Sequence, residues 1–107
     1  MKISVNKKVQ EKMIILSIIG CLDAIKEQKM SIDEAEVFLF LPRMCSILER
    51  EGYSKKIIHI IELGCELEDV ESLLPERLDF ILDDIKKESL ALLDSYDNCE
   101  SMYWLEE

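Results

Sequence analysis

The chain has 107 residues, which is enough for one compact domain and too few for two. Hydrophobic residues make up 49% and charged residues 34% of the sequence, a balance typical of a globular protein and not of a disordered one. Only three glycines and two prolines are present, which argues against an all-β fold, because such a fold needs many turns. We therefore expect a single helical domain over residues 1–107.

The net charge of −10 is concentrated in the C-terminal part of the chain. Residues 1–29 carry six basic and three acidic side chains, whereas residues 65–107 carry three basic and fourteen acidic ones. This excess of negative charge repels nucleic acid and anionic membranes, so neither is expected as a partner. It favours a basic protein partner instead.

The four cysteines contain no C-x-x-C pair, so zinc-ribbon and thioredoxin-like sites are not expected. Cys21, Cys45 and Cys65 each lie among apolar residues, as buried free thiols do. Reduced, buried thiols indicate a cytoplasmic protein.

The first predicted helix begins after Asn6, a suitable N-cap, and extends to about Gln28. Its apolar residues cover most of the circumference, which predicts the most buried helix of the domain. The apolar stretch 13–22 is too short to cross a bilayer, and Asp23 interrupts any extension.

Two shorter helices are predicted next. Ser31 and Glu34 match a capping box, with Ser31 as the N-cap of a helix that reaches about Leu41. Pro42 suits the first turn of the following helix. Gly52 is placed for the left-handed C-cap that ends it.

The second half of the chain continues with three more helical segments. Ser54 caps a fourth helix, which Gly64 is expected to end, and a short helical turn follows over residues 67–73. Pro75 opens a long last helix that reaches about Tyr96. The sequence therefore predicts an all-α, compact single-domain bundle of five or six helices, two long and the rest short.

Few residues suit metal binding or catalysis. His59, the only histidine, is followed by Glu62, Cys65 and Glu66, but a helix end at Gly64 would separate these side chains. Nucleophilic catalysis needs a Ser, Cys or Thr beside a base, and the many carboxylates fall on outer helix faces, not in an apolar pocket. We expect no metal, no cofactor and no enzymatic activity.

Residues 42–62, "PRMCSILEREGYSKKIIHIIE", indicate a helix, a turn with Gly52 and a second helix. This looks like a helix-turn-helix in which Lys55, Lys56 and His59 face outward from the second helix. A DNA-binding domain usually carries a basic patch, whereas this chain is strongly acidic.

The segment "GCELEDVESLLPE", residues 64–76, carries five acidic side chains among apolar ones. The candidate partner-binding acids in and beside it are Glu62, Glu66, Glu68, Asp69 and Glu71. The simpler interpretation is a solvated face beside a helix junction, where acids also suit the N-terminus of a short helix.

The last eleven residues, 97–107, read "DNCESMYWLEE". Tyr103 and Trp104 lie there among acids, a composition that resembles an interface core with a charged rim. We predict an ordered or partner-binding tail. It either contacts a partner through Tyr103 and Trp104 or folds back and seals the bundle.

In size, acidity and helical character the whole chain resembles the acidic helical immunity proteins that neutralise nuclease colicins. The resemblance implies that acids mimic the phosphates of nucleic acid and occlude the basic active cleft of a nuclease toxin. Association would then be fast and sensitive to salt. Two alternatives stay open, a small cytosolic adaptor or regulatory protein, monomeric or homodimeric, and a helix-turn-helix regulator. The oligomeric state is left open.

Overall fold

The computed structural model describes residues 7–96 in full and, of the chain ends, the backbone of residues 2–3 and 105–106. The helices in chain order are α1 (Lys7–Lys26), α2 (Ile32–Phe38), α3 (Pro42–Arg50), α4 (Lys55–Cys65), α5 (Leu67–Leu73) and α6 (Leu78–Leu93), and a 3-10 turn, Pro75–Arg77, precedes the last. The chain ends form a short antiparallel pair, β1 (Lys2–Ile3) with β2 (Leu105–Glu106).

The prediction of an all-α, compact single domain is confirmed. Within the described residues four helices form the bundle and not the five or six predicted, because α2 and α5, with seven residues each, are shorter than two turns. These two segments connect the larger helices and do not span the bundle. Pro75 opens the 3-10 turn, and α6 starts only at Leu78.

The core lies between α1, α4 and α6. Its largest fully buried aliphatic side chains are Ile15, Ile18, Leu22, Ile57, Ile61, Leu67 and Leu82. Two ion pairs join α1 to α6 at the edge of this core, Lys26 to Asp83 at 2.6 Å and Lys86 to Asp23 at 2.9 Å. The buried residues of α6 fall on one face, as its apolar periodicity predicted.

Helix α1 is less buried than the sequence predicted. Leu16, Ser17 and Gly20 are exposed on its outer face, because the other helices cover only the remaining sides. The helix ends at Lys26, and Gln28 adopts the left-handed conformation with φ of 60°. The side chain of Asn6, its predicted N-cap, lies outside the described residues.

The predicted caps of the middle helices are confirmed. The Ser31 hydroxyl accepts a hydrogen bond from the Glu34 amide at 3.0 Å, and Pro42 is the first residue of α3. Gly52 has φ of 78°, the left-handed conformation that glycine adopts without strain. The Ser54 side chain caps α4.

Gly64 does not end α4, contrary to the prediction. The helix continues to Cys65, and Gly64 is buried within its last turn. The aromatic ring of Phe40 occupies the space that a side chain would need, because a Cβ on Gly64 would overlap its Cδ1, Cε1 and Cγ atoms. Glycine is therefore needed here for close packing and not for a turn.

A buried carboxylate joins the first helix to the start of α4 and to the segment that follows α6. Glu11 of α1 is only 4% exposed. Its two oxygens accept hydrogen bonds from the Ser54 amide at 2.7 Å and the Tyr96 hydroxyl at 2.9 Å. Burial and the hydrogen bond to Glu11 raise the pKa of Tyr96 to about 12, so the phenol stays protonated and remains a donor.

Replacing Gly64 by alanine should lower the free energy of unfolding by about 1–3 kcal/mol, the usual cost of overpacking. Glycine to alanine in a helix ordinarily stabilises it, by up to about 1 kcal/mol. Gly20→Ala is the matched control, because a Cβ added there meets no atom within 4 Å. Urea denaturation of both variants should therefore give changes of opposite sign, and equal signs would contradict the packing of Phe40 on Gly64.

Glu11→Ala should lower the free energy of unfolding by roughly 1.5–3 kcal/mol or more, since hydrogen bonds to a charged group contribute about that much. Tyr96→Phe removes only one of the two bonds and should cost less. The exposed Glu27 at the end of α1 supplies the control variant Glu27→Ala. A loss for Glu11→Ala no larger than for Glu27→Ala, again in urea, would show that the buried carboxylate does not hold these elements together.

Candidate functional site

Three carboxylates from two helices meet at the surface. Asp33 and Glu36 of α2 and Glu68 of α5 each place an oxygen within 4.8 Å of the other two. We call these three residues the carboxylate triad. Asp33 and Glu68 are exposed and Glu36 is half-buried.

The packing of α2 and α5 on the core brings the triad together. Ala35 on the inner face of α2 and Leu67 at the start of α5 are both fully buried. Phe40, just beyond α2, packs on Gly64 at the end of α4, and α5 begins three residues later. The outward side chains of the two seven-residue helices therefore lie next to each other.

The triad is electrostatically strained. A hydrogen bond to Glu68 is the largest cause that raises the pKa of Glu36 above its ordinary value, followed by burial and by the negative charges of Glu68 and Asp33. Two carboxyl groups can share a hydrogen bond only if one is protonated. At neutral pH the three groups repel one another.

No cation compensates this charge within residues 7–96. The ion pairs of that part of the chain join other residues, and none involves Asp33, Glu36 or Glu68. Three exposed oxygens could hold a hard divalent cation, and they could equally accept hydrogen bonds from an ammonium or guanidinium group. The prediction of no metal remains a prediction.

Of the predicted acids, only Glu68 belongs to the triad. Glu62, Glu66 and Asp69 are exposed nearby without joining it. Glu71, one turn further along α5, lines a groove with Lys26 and Lys29 and does not join the triad. The predicted cluster is therefore not a single site, because only Glu68 meets the carboxylates of α2.

Two triad residues, Asp33 and Glu36, were not predicted. They stand three residues apart in "SIDEAE" and so share one side of a helix, a signal visible in the sequence. Their meeting with Glu68 is a tertiary contact between distant segments, which no local pattern reveals. Tyr103 and Trp104, the predicted apolar anchors, lie outside the described residues.

Apolar side chains continue the surface beyond the triad. Val37 is 77% and Phe38 59% exposed, and the two residues follow Glu36 directly on α2. Phe38 helps to line a groove of about 350 Å³ beside α1, whose other lining residues are Gln10, Met13, Ile14, Ser17, Leu39 and Tyr53. Acidic and apolar side chains are therefore both exposed on α2.

Within residues 7–96 the cysteines and the histidine do not form a set of metal ligands. Cys21 and Cys45 are buried as predicted, and Cys65 is half-buried. Burial, followed by the neighbouring Cys45 thiol and nearby carboxylates, raises the pKa of Cys65 to about 11, so this thiol stays protonated at neutral pH. His59 lies 3.8 Å from Glu88 of α6, and within the described chain His59, Glu62, Cys65 and Glu66 do not converge as ligands.

The helix-turn-helix prediction has a structural counterpart in α3 and α4. They are joined by residues 51–54, and Lys55, Lys56 and His59 are exposed on α4. These three side chains line a groove of about 480 Å³ against α6, together with Glu88.

Among the helices of residues 7–96, none has the length and hydropathy that a membrane span requires.

Removing one triad charge should stabilise the protein at neutral pH. Because the pKa of Glu36 is raised in the folded state, folding binds protons, and stability falls as pH rises from the unfolded-state pKa through the folded-state pKa. Glu68→Gln should therefore raise the melting temperature at about pH 7 and have a smaller effect at about pH 4, where carboxyl groups protonate.

The matched control is Asp69→Asn, which makes the same charge change on the next residue of α5, outside the triad. Thermal melts at the two pH values should show a pH-dependent gain for Glu68→Gln only. Equal behaviour of the two variants would show that the triad is not strained.

A family model described as "Protein of unknown function (DUF3969)" matches residues 5–106. No curated protein and no solved structure matches the chain. Because the match extends over nearly the whole sequence, the chain belongs to the DUF3969 family.

Proposed function

We propose that the chain is a non-enzymatic, cytoplasmic binding module whose acidic surface docks onto a basic protein. One observation carries this proposal, namely the carboxylate triad, whose oxygens lie within 4.8 Å of one another without a cation from residues 7–96. A lysine or arginine from a partner would replace this repulsion by attraction, so the gain is realised only on binding.

The proposed partner is a bacterial nuclease toxin domain, and the proposed role is that of its immunity protein. A nuclease binds the phosphates of its substrate with lysine and arginine side chains. Carboxylates clustered like those of the triad would occupy the phosphate positions and block the cleft. The exposed Glu62, Glu66, Asp69 and Glu71 would add to the long-range field that steers association, although they lie outside the triad.

A helix-turn-helix regulator is the second candidate, and the exposed Lys55, Lys56 and His59 on α4 favour it. Two facts weigh against it. Glu88 lies beside His59 in the same groove, and the net charge of −10 opposes approach to DNA. An adaptor would use the same acidic surface, but its basic partner would have no nuclease activity to inhibit.

The test is isolation of the partner with the tagged chain from its native host, followed by binding kinetics at low and high salt. The double variant Glu36→Gln/Glu68→Gln should slow association and lose about 2–5 kcal/mol of affinity if these carboxylates meet buried cations. Wild-type affinity should fall as salt rises, because screening shortens to about 10 Å at 0.1 M.

The control variant Glu49→Gln/Asp94→Asn makes the same charge change on α3 and at the end of α6, away from the triad. It should alter binding far less. A partner that is not basic, or binding indifferent to both salt and the triad substitutions, would refute the proposal. A nuclease assay on the partner separates immunity protein from adaptor, and a duplex DNA titration tests the regulator.

A further inference from the structure

We infer that the partner segment which binds the triad is a basic amphipathic helix, and that Val37, Phe38 and the groove that Phe38 helps to line form the subsite for its apolar side chains. This inference rests on the proposed function and names the chemistry of the partner. It also assigns the apolar anchoring to α2, in the described part of the chain, and not to Tyr103 and Trp104.

Both apolar side chains at the end of α2 are exposed to solvent. Val37 is 77% and Phe38 59% exposed, while Ile32, Ala35 and Leu39 already cover the core side of the same segment. Exposure of a valine and a phenylalanine side chain to water is unfavourable, and burial of both under a partner would contribute favourably to binding.

The register of α2 places each of two acids one turn before an apolar side chain. Asp33 stands four residues before Val37, and Glu34 four residues before Phe38, so each acid lies one helical turn, about 6 Å, from an apolar side chain on the same side. A helix lying along α2 would meet acids in the first turn and apolar side chains in the last. Its matching face needs a lysine or arginine one turn from a leucine or a similar residue.

The groove supplies the depth that an apolar anchor needs. It measures about 350 Å³, and Met13, Ile14 and Phe38 contribute to its lining. Its lining residues, from Gln10 to Tyr53, include no charged side chain, whereas Lys55, Lys56, His59 and Glu88 line the groove between α4 and α6. The groove therefore suits an apolar side chain, and the exposed acids one turn earlier on α2, Asp33 and Glu34, suit the cation.

Charge decides between a foreign helix and a second copy of this chain. A second copy docked on the same surface would bring its own Asp33, Glu34 and Glu36 towards these acids, at a net charge of −10 per chain. Like charges that face each other across an interface oppose binding. A basic segment is attracted instead.

Synthetic peptides test the inference without knowledge of the natural partner. The probe is a 14-residue helical peptide whose binding face carries lysines one turn from leucines, and its companion carries glutamine in place of every leucine. Fluorescence anisotropy gives the affinities at low and high salt. Sedimentation of the free chain reports self-association.

Val37→Ser/Phe38→Ser should lower the affinity for the lysine–leucine peptide by about tenfold or more. The salt dependence of that affinity should not change, and the affinity for the lysine–glutamine peptide should not change either. The matched control is Phe80→Ser/Leu90→Ser, which removes two exposed apolar side chains from α6. Ser17→Trp, which fills the groove from α1 without removing a contact, should weaken the lysine–leucine peptide in the same way.

The two proposals fail differently. If Glu36→Gln/Glu68→Gln weakens both peptides while the α2 and groove variants match the α6 control, the apolar subsite is refuted and the basic-partner proposal stands. If the triad variant affects neither peptide, the basic-partner proposal fails. A free chain that dimerises, and becomes monomeric with Val37→Ser/Phe38→Ser, would assign the apolar surface to a second copy and overturn the inference.

Discussion

The contact between Phe40 and Gly64 is the constraint on which the acidic surface depends. Phe40 is 1% exposed, and its ring lies where a side chain on residue 64 would be. Any larger residue would push the ring, and with it the end of α2, away from α4. Because α5 begins immediately after α4, this contact, together with the burial of Ala35 and Leu67, brings Glu36 close to Glu68. Packing in the core therefore fixes the electrostatics of the surface.

Helix caps and turns could be predicted from the sequence, whereas contacts between distant segments could not. The caps at Ser31 and Ser54 and the left-handed Gly52 each depend on a few neighbouring residues, so they were predicted correctly. Gly64 was misread as a helix end, because a glycine required for close packing and one required for a turn look identical in a sequence. Only Glu68 of the triad was predicted, since the α2–α5 contact that brings Asp33 and Glu36 to Glu68 leaves no local signal.

Carboxylates lie in two contrasting environments in this chain. Glu11 is almost fully buried, but an amide and a phenol satisfy both of its oxygens, so its desolvation is offset and it stabilises the fold. The triad is mostly exposed, but within residues 7–96 no ion pair compensates its charge, so Glu36 is held beside like charges. Surface carboxylates that remain together without compensation reduce stability, and such local cost is typical of sites that act on binding.

The division of α2 into an acidic first turn and an apolar last turn gives the two parts of the surface different roles in association. Charges act over distances comparable to the screening length of about 10 Å, so the triad and its neighbours govern the rate of encounter. Val37 and Phe38 act only on contact, so they govern how long a complex lasts. Apart from the acids of α4 and α5, both parts lie on one seven-residue helix, whose position is set by Ala35 and by the adjoining Phe40. A partner that matches only the charge would therefore bind quickly and leave quickly, and specificity for one partner requires that its apolar side chains also fit the groove.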